Sequence, residues 1–156
     1  MTHIIAPAKL TLSLKVIGVR EDGFHLIDAE MVSLELHDVL IITEGESGMS
    51  VSGPFAHGVP TDDDNLVIRA LQLCGKTAHV HIEKNIPHGG GLGGGSSDAA
   101  AVLRWSRYSD YVAASRLGAD IPFCMHGGRA RVTGIGEILE PLPHVAREIT
   151  LVVPPF

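Results

Sequence analysis

From Pro87 to Trp105 the chain reads PHGGGLGGGSSDAAAVLRW, with six glycines in the seven positions Gly89–Gly95, then two serines, an aspartate and three alanines. Glycine gives up more backbone freedom on folding than any other residue, so an ordered run of it marks a place where a Cβ would be in the way. The segment before it, AHVHIEKNIP, has the composition of a strand, and the segment after it, Ser96 to Arg107, predicts an alanine-rich helix. A tight loop that opens onto a helix offers unpaired main-chain N–H groups and the positive end of a helix dipole. Both suit an anion, phosphate first. Ser96 and Ser97 stand where a hydroxyl can cap the helix or meet a phosphate or metal ion. Asp98 is expected to face away, because a carboxylate would repel phosphates.

Two familiar phosphate loops do not fit. A Walker A loop needs a lysine before its Ser or Thr, and none precedes Ser96. The dinucleotide fingerprint is met in part by Gly91, Gly93 and Ser96, but this loop lies past mid-chain rather than in a first βαβ unit. A flexible surface loop is the bland alternative, although linkers seldom join a clear strand to a clear helix.

The rest of the chain bounds the ligand. With 156 residues, 45% hydrophobic and 19% charged, it is one globular domain in size and composition. A formal charge of −6 disfavours nucleic acid and anionic membranes as partners and favours a small molecule. No segment approaches the roughly 18 consecutive apolar residues of a membrane span, and MTHIIAPAKLTL lacks the form of a signal peptide, so a cytoplasmic location is expected. Cys74 and Cys124 fit no disulfide or zinc spacing and read as buried hydrophobes.

Taken in order, His3 to Val16 predicts a strand interrupted at Pro7, VREDGFH a turn, and Ala29 to Thr43 two extended stretches, in a hairpin or meander, parted by the polar His37–Asp38. EGESGMSVSGPFAHGVP reads as loop or sheet edge. TDDDNLVIRALQLCGK shifts to the helical period, and its three aspartates are expected to cap that helix rather than hold magnesium. His79 and His81 share a strand face without a third metal ligand nearby, so a partly exposed face is the simpler reading. Lys9 and Asp120 sit in apolar surroundings, where charged groups usually pair. A structural salt bridge serves for either, and a cap for Asp120.

Pro87, Gly91, Leu92, Gly93, Gly94, Gly95 and Ser96 match in order the P-x-x-x-G-L-G-[GS]-[GS]-[SA] loop of the GHMP small-molecule kinases, which the chain resembles. APAKLTLSLKVIGVREDGFH, DNLVIRA and RLGADIPFCMHGGRARVTGIGE resemble one branch of these, the 4-diphosphocytidyl-2-C-methyl-D-erythritol kinases of non-mevalonate isoprenoid biosynthesis, so that the likeness runs from Ala6 to about Glu137.

The resemblance implies an α+β domain of the ribosomal protein S5 domain 2-like type, a mostly antiparallel sheet with helices packed against it. It implies residues 1–150 as an N-terminal ATP-binding domain, and 151–156 as the start of a connection to a second domain that this sequence lacks. ATP and Mg²⁺ follow as cofactors. Lys9 and Asp120 match the catalytic pair, and the binding loop would run through Pro87, Gly89, Gly90, Gly91, Leu92, Gly93, Gly94, Gly95, Ser96 and Ser97, with Ser96 or Ser97 close to the metal, Ser96 first. Lys84 either approaches the nucleotide or is an exposed lysine at a strand end. Phe24 would stack on the cytosine with His25 bonding its edge, unless Phe24 plugs its turn onto the core. Thr11 stands where the branch usually has asparagine, and Phe24 where it has tyrosine, so contact with the erythritol hydroxyls and one hydroxyl bond are weakened. The resemblance leaves two further readings: another GHMP kinase acting on homoserine, mevalonate or a sugar, and a nucleotide-binding fragment without turnover.

Overall fold

The computed structural model describes residues 1–154. Two long strands dominate it, β1 (Thr2–Val19) and β2 (His25–Glu44), joined antiparallel around a turn in which Gly23 has φ 88° and donates its N–H to the Arg20 carbonyl. Neither strand breaks where its sequence suggests. Pro7 is accommodated because β1 pairs only with β2 and so lies at a sheet edge, where a missing N–H leaves no ladder bond unmade. Residues 37–38 do not part β2 into a hairpin or meander, since Asp38 is fully buried with its own partners and the strand runs straight through it.

Along its other side β2 pairs with β4 (Ala78–Glu83) through Val39–Glu44 and with β5 (Arg129–Gly134) through Ile27–Val32. The glycine- and serine-rich stretch supplies an edge strand, β3 (Gly48–Ser52), parallel to β4, and β6 (Ile138–Pro141) closes the far side against β5. Among the described residues every pairing but β3–β4 is antiparallel, so the domain is α+β with a mostly antiparallel sheet.

The helices among the described residues are α1 (Leu66–Cys74), α2 (Gly94–Trp105), α3 (Tyr111–Leu117) and α4 (Ile121–His126). The main core joins Leu40, Ile42, Val80, Ile82 and Val132 of the sheet to Val67, Val102, Leu103, Ile121 and Phe123 of the helices. Ala99, Ala100 and Ala101 are completely buried in α2, and their small side chains let it lie close to α1, α4 and β1. A smaller cluster gathers Ala8, Ile86 and Leu92 with Leu10, Leu34, Leu36 and Leu151. Residues 142–154 have no regular secondary structure, and of the expected 151–156 connection positions 155–156 lie outside the described residues.

The cap of α1 is Asn65, whose side chain accepts the Val67 N–H, and not the aspartates before it; Asp62 instead accepts the Asp64 N–H. His81 is bonded at both ring nitrogens, to the Ser50 and Ser52 hydroxyls, a tie between β3 and β4. Cys124 is buried, and burial pushes its thiol up to about 12; Cys74 is only half-buried, short of the expectation for it. No described helix is long and apolar enough to cross a membrane.

Candidate active site

Ala6 of β1 belongs to the main core and Ala8 to the smaller cluster. Between Pro7 and Lys9 the β1–β2 register shifts, with Leu34, Glu35 and Leu36 of β2 set against Ala8 alone, an irregularity of the kind found beside functional sites. Here the glycine loop is tied to the sheet. The Lys9 N–H donates to the Leu92 carbonyl at 2.8 Å, and the Ser97 hydroxyl to the Pro7 carbonyl at 2.6 Å. Leu92, the single side chain within the glycine run, is buried beside Ala8 and Ile86 and anchors the loop to the smaller cluster.

Two glycines answer for the run most directly. Gly93 is the N-cap of α2 at φ 67°, and a Cβ there would come within 2.8 Å of the Lys9 Cγ, so the lysine stem lies across this glycine. Gly94 packs against Ile86 and the Lys84 ammonium. Around Gly89, Gly90, Gly91 and Gly95 there is open space, as a main chain that receives a ligand requires. The helix begins at Gly94, two residues before its expected start. Neither serine is the cap, and the N–H groups of Gly94, Gly95 and Ser96 head the helix while that of Ser97 already bonds the Gly93 carbonyl.

The Lys9 ammonium reaches the Asp120 carboxylate at 2.9 Å and the Thr11 hydroxyl at 3.0 Å. These two bonds leave one of its three N–H donors for a ligand. Asp120 stands at the N-cap of α4 but makes no side-chain cap bond; Lys9 is its ion-pair partner. Its backbone is held from below by the β5–β6 turn, where any side chain on Gly136 would overlap the Ala119 carbonyl. Gly118, two residues earlier, lies beside the Ser96 hydroxyl. Thus β1, the glycine loop and the start of α4 bring Lys9, Thr11, Ser96 and Asp120 into one neighbourhood.

Two binding residues expected from the sequence are placed otherwise. Ser97 is fully buried, and its hydroxyl is spent on the Pro7 carbonyl, which removes it as a phosphate or metal contact. Lys84 is neither exposed nor on the ligand side of the loop: its ammonium is buried behind Gly94, bound to Asp38 at 2.6 Å and Asp98 at 2.7 Å. Asp98 does turn away from the loop's open side. In the sequence Asp38 reads only as part of a polar break between two extended stretches and carries no sign of its partners.

Magnesium has no preformed cage, since no three metal-binding His, Cys, Asp or Glu side chains are gathered among the described residues. The donor set suits an ion carried in on phosphate oxygens, which takes one or two protein ligands and keeps its waters. The Ser96 hydroxyl, in the first turn of α2 and beside Gly118, is the fitting ligand.

Phe24 and His25 are not part of this neighbourhood. They stand at the β1–β2 tip, roughly 30 Å of strand from Lys9 at about 3.3 Å per residue, a path bent by bulges at Thr11/Ser13 and Val16/Gly18. Phe24 is 46% exposed, which overturns the reading of it as a core plug, and the Arg20 guanidinium lies 5.5 Å from its ring centre.

Residues 65–128 match the family described as GHMP kinases N terminal domain. The chain is 47% identical over 150 residues to the 4-diphosphocytidyl-2-C-methyl-D-erythritol kinase of Paracoccus denitrificans, covering 96% of this chain and 55% of that protein. It is similar to a crystal structure of 4-(cytidine 5'-diphospho)-2C-methyl-D-erythritol kinase, with TM-score 0.67 and 38% identity over 90% of this chain and 55% of that one. The mevalonate kinase of Methanococcus jannaschii shares the fold, with TM-score 0.55 at 12% identity over 91% of this chain and 56% of that one. The chain therefore spans about half the length of the curated relatives it matches.

Proposed function

Because the chain belongs to the GHMP kinases, on their 4-diphosphocytidyl-2-C-methyl-D-erythritol kinase branch, we propose that it carries the catalytic half of an ATP-dependent phosphotransferase. The acceptor is the 2-hydroxyl of 4-diphosphocytidyl-2-C-methyl-D-erythritol, in cytosolic isoprenoid synthesis. Residues 1–150 are the ATP-binding unit. The observation that carries this reading is the 2.9 Å Lys9–Asp120 pair, with the lysine stem lying across Gly93 at the head of α2.

Phosphoryl transfer asks for positioning and charge stabilisation more than for covalent work by the protein. The amides of Gly94, Gly95 and Ser96 and the dipole of α2 hold the triphosphate. Asp120 accepts the proton of the attacking hydroxyl, and Lys9 holds that carboxylate in place while its remaining N–H stabilises charge on the transferred group. Thr11 orients that ammonium, and its own proton is left to bond a substrate hydroxyl. Ser96 would hold magnesium, which would supply charge neutralisation on the phosphate oxygens when bound. Phe24 offers a face for a pyrimidine and His25 a polar edge beside it.

The chain joined to the C-terminal half of the Paracoccus denitrificans relative is expected to transfer labelled phosphate from ATP to the cytidylyl substrate. Asp120→Asn should lower kcat by about 10²- to 10⁴-fold, the range for losing a positioned base; an unchanged kcat removes Asp120 from the mechanism. Competition by CMP, absent for Phe24→Ala, separates this acceptor from homoserine, mevalonate or a sugar. Calorimetry with ATP followed by a turnover assay on these 156 residues alone separates this reading from that of a nucleotide-binding unit without turnover.

A further inference from the structure

Beneath the glycine loop lie three ionisable side chains that phosphoryl transfer does not use. Asp38 of β2 accepts the Asn85 N–H at 2.6 Å and the Ile86 N–H at 2.9 Å on one oxygen, and the Lys84 ammonium at 2.6 Å on the other. Lys84 also donates to Asp98 at 2.7 Å. Residues 84–86 are the segment on which the chain leaves β4 for the loop, and Asp98 lies in α2 just past it. Lys84 and Asp98 are 14 residues apart in sequence, and between them hangs the whole run of glycines.

We propose that Asp38, Lys84 and Asp98 are positioning residues, a clamp that fixes both ends of the glycine loop at the separation that keeps the Gly94–Ser96 amides turned toward a triphosphate. The ligand rests on the function proposed above; the clamp itself does not. A loop so rich in glycine has little stiffness of its own, so its shape must be imposed from its ends.

Charge balance decides how the clamp is held. The side chains of Lys84, Asp38 and Asp98 are 5%, 0% and 3% exposed, and one ammonium facing two carboxylates would leave a buried negative charge uncompensated. Asp38 accepts three hydrogen bonds, the pattern of an ionised group, whereas Asp98 accepts one and leaves its Oδ1 without a partner among the described residues. The proton therefore belongs to Asp98, between itself and Asp38. Burial pushes the Asp98 carboxyl well above the usual range and Lys84 only partly offsets it. Other charges nearby are engaged elsewhere: Lys9 of β1 faces Asp120, and Arg104 of α2 donates to the Ile5 carbonyl.

Hydrogen exchange of the segment 84–98, measured without nucleotide on the wild type, Asp98→Asn, Asp98→Ala and Lys84→Met, tests the clamp. Titration of each protein with a non-hydrolysable ATP analogue, well below its own Tm, accompanies it. Asparagine copies a protonated Asp98, accepting from Lys84 and donating to Asp38, so D98N should match the wild type in both readouts. D98A and K84M should raise loop exchange and weaken analogue binding by about tenfold or more, a change worth about 1.4 kcal/mol, with β5 exchange unaltered. If D98A fails to fold, Asp98→Ser, too short to reach Lys84, takes its place. Loop exchange in D98A or D98S equal to wild type overturns the clamp, and so does D98N behaving like D98A. Clamp-dependent exchange in a chain that binds no analogue keeps the clamp and removes the nucleotide reading; analogue binding indifferent to Asp98 does the reverse.

Discussion

At Gly93 two separate demands meet. Its φ of 67° is a conformation that costs an L-residue about 1–2 kcal/mol, and its missing Cβ leaves room for the Lys9 stem. Gly93→Ala should therefore displace Lys9 and distort the head of α2 together. The expected outcome is weaker nucleotide binding by calorimetry, with Tm lowered by a few degrees at about 1–2 kcal/mol of destabilisation. By contrast Gly89→Ala has open space for its methyl and only the φ of 79° to resist it, so its effect on binding should be smaller. Lys9 and Asp120 were visible in the sequence as charges in apolar segments, and their kinship as a pair came from resemblance. The 110 positions between them hold no pattern that states a distance. Asp98 was legible as a residue turned from the anion, but not its partners, because Lys84 and Asp38 reach it from other elements.

At the scale of single elements, periodicity found the strands and helices but misplaced several ends. The helix of the glycine loop starts at Gly94 because the αL turn at Gly93 supplies the cap geometry, a choice that a search for serine caps overlooks. On α1 the same search chose the aspartates over Asn65, whose side chain faces the Val67 N–H. Asn65→Ala should cost about 1 kcal/mol, read as a lower denaturant midpoint with unchanged m-value. Asp63→Ala, which removes no cap bond, should shift the midpoint far less. Strand β1 reads as an interrupted strand, whereas at the sheet edge it continues past Pro7 and, where β2 bulges opposite Ala8, its Lys9 N–H bonds the loop. A bulge depends on what the neighbouring element offers, so one strand's pattern cannot announce it.

For the whole molecule the buried cluster sets a pH dependence. Asp98 titrates higher folded than unfolded, so the native state holds a proton there that the unfolded chain releases. Its contribution to stability is complete below the ordinary carboxyl range and is lost as pH rises from that range through the raised value. Asp22 and Asp28 act in the opposite sense, held low by Arg20 and Arg131, but those pairs are exposed and weak. Thermal unfolding from about pH 5 to about pH 8 should show Asp98→Asn gaining on the wild type as pH rises; parallel curves would mean that Asp98 is ionised throughout. The sequence by itself determined strands, helices and a glycine run set between one strand and one helix, because those features depend on local backbone freedom and short-range periodicity, while the α+β class came from resemblance. Only the tertiary structure decided which charges meet. Lys9 joined Asp120 and Lys84 withdrew beneath the loop because burial forces each ionised group to find its partner across the fold, wherever packing brings one within reach.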